Sequence, residues 1–123
     1  MRAAKPLAFI GILVIACFSD ERGYSVRVRN TGLRQVVATR VQFGNFASDV
    51  GVLIAHSADT EFDVREPLPK AAVVEWRDAA GSQHRETVNV SLPRGFKGVL
   101  VFEIDGANHV HVVTESPPKH IVP

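Results

Sequence analysis

The chain has 123 residues, with 14 lysine and arginine side chains against 13 aspartate and glutamate side chains, a formal net charge of +1 at pH 7. The basic residues are scattered, which excludes the electrostatic footprint of a nucleic-acid-binding protein. The length is that of one domain, which can form a core without a metal, and the single cysteine excludes an internal disulfide.

Residues 1–16 have the pattern of a secretory leader. Arg2 and Lys5 give a basic start, and an uncharged, mostly apolar run follows from Leu7 to Ala16. This run is about half the length of the ~20 apolar residues that span a bilayer as a helix. It matches the apolar region of a signal peptide, so we expect a cleavable leader over 1–16.

The end of this run, Val14-Ile15-Ala16-Cys17, resembles the lipobox of bacterial lipoproteins. The resemblance implies that diacylglycerol is attached to the Cys17 thiol, that cleavage occurs before Cys17, and that the new terminus is acylated, typically with palmitate. Two or three acyl chains anchor a protein firmly to a membrane. An ordinary signal peptide with a chance cysteine, or a buried strand, is the alternative interpretation.

The residue after the cysteine bears on localisation. Phe18 stands where an aspartate would retain an enteric lipoprotein at the inner membrane, although Asp20 lies close by. The pattern resembles outer-membrane sorting. We therefore expect a protein on the periplasmic face of the cell envelope, with the outer membrane favoured over the inner membrane.

Beyond a lipidated tether over 17–23, apolar and polar residues alternate in segments typical of β-strands. Gly44 to Asp49 is expected to be a loop, Val50 to Ala55 a strand covered on both faces, and His56 to Asp59 a turn. The residues of the first two strands expected to face the core are Tyr24, Val26, Val28, Val37, Thr39, Val41 and Phe43.

The second half of the chain continues this pattern. Pro67 and Pro69 lack backbone donors, so residues 66–70 are expected at a sheet edge or crossing between sheets. The strands expected after them are Ala71–Arg77, Gln83–Val90, Val99–Ile104 and His109–Val113. About seven strands without a helical segment predict an all-β, antiparallel, immunoglobulin-like or fibronectin-like sandwich over 24–115, followed by a loose tail over 116–123.

Two histidines are candidate metal ligands. His109 and His111 are two residues apart, so their side chains share one face of a strand and could bind zinc or copper. A site needs three or four ligands, for which His84 or His120 would have to be recruited. The alternative is an exposed strand face. A periplasmic metal-binding protein is thus the alternative function; otherwise no cofactor is expected.

Other residues suggest chemistry or recognition less directly. His56, Ser57 and Asp59 are the residue types of a hydrolase triad, but their pattern is that of turn residues, so no catalytic residues and no enzymatic activity are expected.

Trp76 is expected in the core. Phe46 and Phe96 lie in turn-like stretches and are candidates for partner binding or for capping the core.

Several stretches together resemble a group of small, uncharacterised bacterial lipoproteins. They are Val14-Ile15-Ala16-Cys17, Phe43-Gly44-Asn45-Phe46, Gly51-Val52-Leu53, Val74-Glu75-Trp76-Arg77, Phe96-Lys97-Gly98 and Phe102-Glu103-Ile104. The group has no established catalytic residues. The expected function is a membrane-anchored, non-enzymatic protein-binding module, comparable in size and location to immunity proteins and envelope-assembly accessory subunits, whose protein partner the sequence does not identify.

Overall fold

The structure, a computed structural model, describes residues 23–116. The predicted leader over 1–16, the lipidation site Cys17, and nearly all of the predicted tail lie outside the described residues. The strands of the described chain are β1 (Tyr24–Asn30), β2 (Val36–Phe43), β3 (Phe46–Leu53), β4 (Ser57–Val64), β5 (Ala71–Arg77), β6 (Gln83–Asn89), β7 (Val99–Ile104) and β8 (Val110–Glu115). Within residues 23–116, no helix is long and apolar enough to cross a membrane.

The strands form two four-stranded sheets packed face to face. Sheet I has the order β4-β1-β7-β8, and sheet II has the order β3-β2-β5-β6. One core joins them, with Val28 and Phe102 contributed by sheet I and Val41, Val74 and Trp76 by sheet II. The predicted β-sandwich is therefore confirmed, with eight strands in residues 23–116 where about seven were expected.

The strand order differs from the expectation in two respects. β1 pairs with β7 in parallel, so the sandwich is not purely antiparallel. A parallel pair needs a crossover connection, which the passage of the chain through sheet II supplies. In immunoglobulin constant domains the first two strands are neighbours in one sheet, whereas β1 and β2 here belong to different sheets. The immunoglobulin strand order is therefore not confirmed.

A β-bulge in β2 corrects the predicted inner face of that strand. Val36 is buried and Val37 is only half-buried, the reverse of the prediction. The cause lies at Ala38, whose φ of +53° interrupts the alternation. From Val37 to Arg40, β2 advances three residues while the partner strand advances two, so the side chains change faces once.

The hairpin of β2 and β3 corrects two further expectations. Gly44 and Asn45 alone form the turn, so the predicted loop up to Asp49 is largely strand. The apolar run after it is not covered on both faces, because the sandwich in residues 23–116 has two layers and each sheet is covered on one face. Leu53 is buried, but Val52 and Ile54 are exposed. Likewise β4 begins at Ser57, inside the predicted turn.

The two ends of the sandwich differ in what they carry. Gly23 and Ser116 lie at the end where β1 begins and β8 finishes, which we call the terminal end. At the opposite end, called the far end, lie four loops of the described chain: 31–35, 54–56, 78–82 and 105–109. Residues 65–70 cross from β4 of sheet I to β5 of sheet II at the terminal end, as the prolines predicted.

Candidate functional site

An aspartate organises the far-end loop between β5 and β6. One carboxylate oxygen of Asp78 accepts hydrogen bonds from the amides of Ala80 and Ser82, at 3.0 and 2.9 Å. The other oxygen lies 2.8 Å from Nε2 of His84. The pairing with His84 lowers the pKa of Asp78 below its ordinary value, and the two amide donors lower it further.

The loop between β7 and β8 repeats this arrangement. One carboxylate oxygen of Asp105 accepts hydrogen bonds from the amides of Ala107 and His109, at 2.9 and 3.0 Å. The other lies 2.7 Å from Nε2 of His111. The pairing lowers the pKa of Asp105 and raises that of His111. Both loops are therefore fixed by an aspartate and a histidine six residues later.

Side chains from the two sheets connect these hairpins. Nε1 of Trp76 donates to Oδ1 of Asn108 at 3.1 Å, and the amide of Val110 donates to Oε1 of Glu86 at 3.2 Å. The Trp76 indole also stacks on the His84 ring at a centroid distance of 5.3 Å. Trp76 is buried, as predicted, and holds the two far-end hairpins together.

Asn30, at the end of β1, fixes the two other far-end loops. Its side chain is buried, and Nδ2 contacts the carbonyl oxygens of Arg34 at 2.8 Å, Leu53 at 3.0 Å and Ile54 at 3.3 Å. Its Oδ1 accepts a hydrogen bond from the amide of Gly32 at 2.9 Å. Loops 31–35 and 54–56 are thereby held side by side.

A cleft of about 380 Å³ opens at the far end, between three of its loops. Loop 31–35 forms one wall, the turn at 78–80 the other, and residues 105–108 complete the lining. Gly32 lies so close to Gly106 that a Cβ on Gly32 would come within 3.0 Å of the Gly106 Cα. The backbones of loops 31–35 and 105–109 are therefore in close contact at this point of the lining.

Three apolar side chains at the far end are exposed, and we call them the far-end patch. They are Leu33, 82% exposed, Val52, 60% exposed, and Ile54, 61% exposed. Nδ2 of Asn30 donates to the carbonyls of both Arg34 and Ile54, so the backbone after Leu33 and the backbone of Ile54 lie close together. Leu33 also lines the cleft, whereas Val52 and Ile54 do not. Exposed apolar residues beside a groove are a feature of many protein interaction sites.

The predicted partner-binding residues Phe46 and Phe96 lie at the terminal end. Both are half-buried and pack against the core. The Phe46 ring stacks on Phe43 with centroids 4.8 Å apart, and Phe96 lies 6.3 Å from the ring of Tyr24. Burial in this cluster, reinforced by the charge of Glu66, raises the pKa of Tyr24 to about 12. Both phenylalanines therefore pack on the core, and their predicted role in partner binding stays a prediction.

The predicted metal ligands are exposed residues around the second Asp–His hairpin. His111 faces Asp105, and the described residues contain no group of three or more histidine, cysteine, aspartate or glutamate side chains that could hold a metal ion. His120 lies outside the described residues. A site on His109 and His111 would therefore need ligands from beyond residues 23–116.

The predicted triad residue types lie around the start of β4. His56 has a φ of +58°, which is a turn conformation, and the hydroxyl of Ser57 donates to the carbonyl of Ile54 at 2.6 Å. The hydroxyl thus closes the β3–β4 turn, which is the hydrogen-bonding role that the sequence predicted for Ser57. Asp59 lies in strand β4 and not in the predicted turn.

The two Asp–His pairs of this site could have been predicted from the sequence. The same spacing separates Asp78 from His84 and Asp105 from His111, and each aspartate directly follows a predicted strand. Leu33 is an isolated apolar residue in a turn, and this position also could have been read from the sequence as a candidate for exposure. The exposure of Val52 depends on its location on the uncovered outer face of sheet II, and Ile54 lies in the loop after β3; no local pattern shows either.

Comparison with known proteins supports the fold only. No family model matches the chain, and no curated protein matches it. A solved structure, the NMR structure of a protein from Eubacterium rectale, is similar, with a TM-score of 0.56 and 15% sequence identity. The likeness covers 78% of this chain and 91% of that chain. The comparison therefore agrees with an all-β domain of two sheets.

Proposed function

We propose that this protein is a lipoprotein held through Cys17 on the periplasmic face of a bacterial envelope, where it acts as a non-enzymatic protein-binding module. The outer membrane is favoured over the inner membrane because Phe18, not aspartate, follows the cysteine. Recognition would use the loops at one end of the sandwich, as immunoglobulin-like domains do.

One observation carries this proposal: the far-end patch lies at the end of the sandwich opposite Gly23. A tether over 17–23 spans at most about 25 Å when fully extended. The strand β1 then carries the chain about 20 Å further, at ~3.3 Å per residue. An anchor at Cys17 would hold the terminal end near the bilayer and leave the exposed leucine, valine and isoleucine accessible to another protein.

The anchor is tested by replacing Cys17 with serine in the full chain. We expect the wild-type protein in the membrane fraction, with a diacylglycerol and an acyl chain on Cys17 by mass spectrometry, and the Cys17→Ser protein released from that fraction. Ser19→Ala is the matched control and should remain membrane-bound and acylated. Persistent membrane attachment of Cys17→Ser by an unacylated chain would contradict the proposal.

The sorting of the protein is tested with a second variant. If the residue after the cysteine decides localisation, Phe18→Asp should move the acylated protein from the outer-membrane to the inner-membrane band of a density gradient. Phe18→Ser should leave it in place. Equal distribution of all three proteins would remove the argument for the outer membrane but not the argument for the anchor.

A further inference from the structure

The loop between β6 and β7 crosses the terminal end of the sandwich. β6 is an edge strand of sheet II and β7 is an inner strand of sheet I, so residues 90–98 run from one sheet to the other. Where the loop begins, the amide of Val90 donates to the carbonyl of Lys70 at 2.9 Å. Where it ends, the amide of Ser25 donates to the carbonyl of Gly98 at 3.1 Å. The loop therefore lies beside the start of β5 and the start of β1.

The side chains of this loop divide between the core and the solvent. Leu92 and Phe96 are half-buried and pack against the core. Arg94 lies in a turn, in which the amide of Phe96 donates to the carbonyl of Pro93 at 3.1 Å. Arg94 and Lys97 are both exposed. The apolar side chains therefore hold the loop on the core and leave its two cations on the solvent side.

Three exposed cations follow the course of the loop, and we call them the terminal cations. Lys70 lies beside its start, Arg94 in its turn and Lys97 next to its last residue. Within residues 23–116, none of these three side chains forms an ion pair. They do not form a basic segment of the sequence, so the fold brings them to one end of the domain.

The carboxylates at this end leave an excess of positive charge. Glu66 is half-buried near Tyr24, whose pKa is raised by burial and further by the charge of Glu66. Glu115 forms ion pairs with two arginines of β1, at 3.0 and 2.6 Å. Arg65 is also exposed, but Asp63 precedes it by two residues, and we count these two charges as balanced. Three cations therefore stand against one half-buried carboxylate.

The chain that leads to Cys17 leaves the domain among these residues. β1 lies between β4 and β7 in sheet I, so its start adjoins both terminal-end connections. A Cβ on Gly23 would come within 2.6 Å of the carbonyl oxygen of Val64, directly before the 65–70 crossing. Residues 17–22 and 117–123 carry two acidic and two basic side chains, so they do not offset the terminal cations.

We propose that the terminal cations are a docking surface for the anionic lipid headgroups of the membrane that carries the anchor. Headgroup phosphates would face Lys70, Arg94 and Lys97, and the far end would point away from the bilayer. A cation near an anionic membrane surface favours the docked state about fivefold, so three together favour it about a hundredfold. The proposal rests on the proposed function for the anchor that holds the two surfaces close.

Two other occupants fit less well. A second copy of the domain, packed through the same loop about a two-fold axis, would place the terminal cations opposite their own equivalents, and like charges would oppose that dimer. A soluble acidic protein offers the same charge as the bilayer. It would, however, have to enter the gap of at most about 25 Å that the extended tether leaves between the domain and the membrane.

The test places the domain on membranes of chosen charge. The full chain has a single cysteine, Cys17, which is coupled to a maleimide lipid in nanodiscs of phosphatidylcholine, with or without phosphatidylglycerol. A gadolinium-chelating lipid then broadens the NMR signals of amides that lie near the headgroups. Residues 1–16 are the same in every sample, so differences between the discs report on their charge.

The broadening should identify the docked end. We expect the paramagnetic relaxation of the Arg94 and Lys97 amides to be about fivefold or more faster on anionic than on neutral discs, because the docked state gains about a hundredfold. The Leu33 and Ile54 amides should show no such increase, since β1 alone separates the two ends by about 20 Å. The difference should disappear as salt is raised, because exposed charges are then screened.

A charge variant identifies the docking surface. The triple variant Lys70→Gln/Arg94→Gln/Lys97→Gln should show the same relaxation on anionic discs as the wild type shows on neutral discs. All three positions are exposed, so folding should be retained, and the dispersion of the NMR spectrum checks it.

A matched control removes the same amount of charge elsewhere. Arg34→Gln/Arg77→Gln/Arg85→Gln changes two exposed cations at the far end and one on β6. This variant should keep the wild-type relaxation of the terminal-end amides on anionic discs. Retention of docking would show that position, and not net charge, decides it.

The outcomes separate the alternatives. Equal relaxation on both kinds of disc, stronger relaxation at Leu33 than at Lys97, or equal effects of the two triple variants would overturn the proposal. So would perturbation of the same amides by inorganic phosphate alone at the headgroup concentration, or a dimer in sedimentation that the terminal-end variant dissociates. The maleimide lipid replaces acylation, so a chain that cells do not acylate would still be tested, and failure of the anchor would be recognised separately.

Discussion

Replacing Asn30 with alanine is expected to destabilise the domain by about 3 kcal/mol, because one buried amide joins three segments of the far end. Its shortest contacts are those of Nδ2 with Arg34 and Leu53, at 2.8 and 3.0 Å, and that of Oδ1 with the Gly32 amide at 2.9 Å. Each such bond contributes about 0.5–1.5 kcal/mol net, and a buried group left unpaired costs more.

The measurement is denaturant unfolding followed by fluorescence of the single tryptophan, which is buried. A loss of about 3 kcal/mol would lower the melting temperature by roughly 12–24 °C for a domain of about 100 residues. Asn89→Ala removes an exposed amide on β6 and is the matched control, with an expected change below about 0.5 kcal/mol.

The variant Asn30→Asp distinguishes hydrogen bonding from simple loss of volume. A carboxylate would place a second oxygen against the carbonyls of Arg34 and Leu53, where the wild type has a donor. Burial would raise the pKa of this carboxyl in the folded state, so stability should be greatest at low pH and fall as pH rises. If Asn30→Ala is as stable as the wild type, or Asn30→Asp shows no such pH dependence, the assigned role of this amide is wrong.

Three further predictions concern separate features. Thr39→Val should stabilise the domain by about 1 kcal/mol in denaturant unfolding, because the buried Thr39 hydroxyl has no hydrogen-bond partner in the described structure. The imidazole of His111 should titrate by NMR with a pKa above 6.5, because its bond with Asp105 favours the charged form. This pairing therefore contributes to stability fully below pH 6.5, and the contribution is lost as the pH rises through the raised pKa. Asp105→Asn should return this titration toward 6.5, whereas Asp78→Asn should not. Absorbance at alkaline pH should show the single tyrosine, Tyr24, ionising near pH 12, and a midpoint near 10 would contradict its burial.

Strand patterning predicted the inner faces wherever a strand has no irregularity. The alternation in β1 correctly placed Tyr24 and Val28 in the core. The same method assigned Val36 and Val37 of β2 to the wrong faces. The cause is the positive φ of Ala38, which an alanine side chain gives no reason to expect. A bulge changes which face a residue occupies, and alternation can detect it only when glycine or proline marks the site.

Strand pairing between distant segments was beyond local reasoning. Ser25 pairs in parallel with Val99, and nothing in either segment specifies the direction of its partner. The missed exposure of Val52 has a related cause, since the face of sheet II that is covered follows from how distant strands pair into two sheets. The Asp–His spacing could have been found locally, because it is a property of single hairpins.

The arrangement of the far end bears on how well it can bind. Loop 31–35, which carries Leu33 and Arg34, is held by the buried amide of Asn30, and the opposite wall is held by the bonded carboxylate of Asp78. A surface fixed in this way loses little conformational freedom when a partner binds, so more of the contact energy remains as affinity. The phenylalanines at the terminal end, Phe46 and Phe96, are half-buried against the core instead of lying in such a fixed loop wall. Under the proposed attachment through Cys17, the preorganised loops of the far end would face away from the membrane, where another protein could reach them.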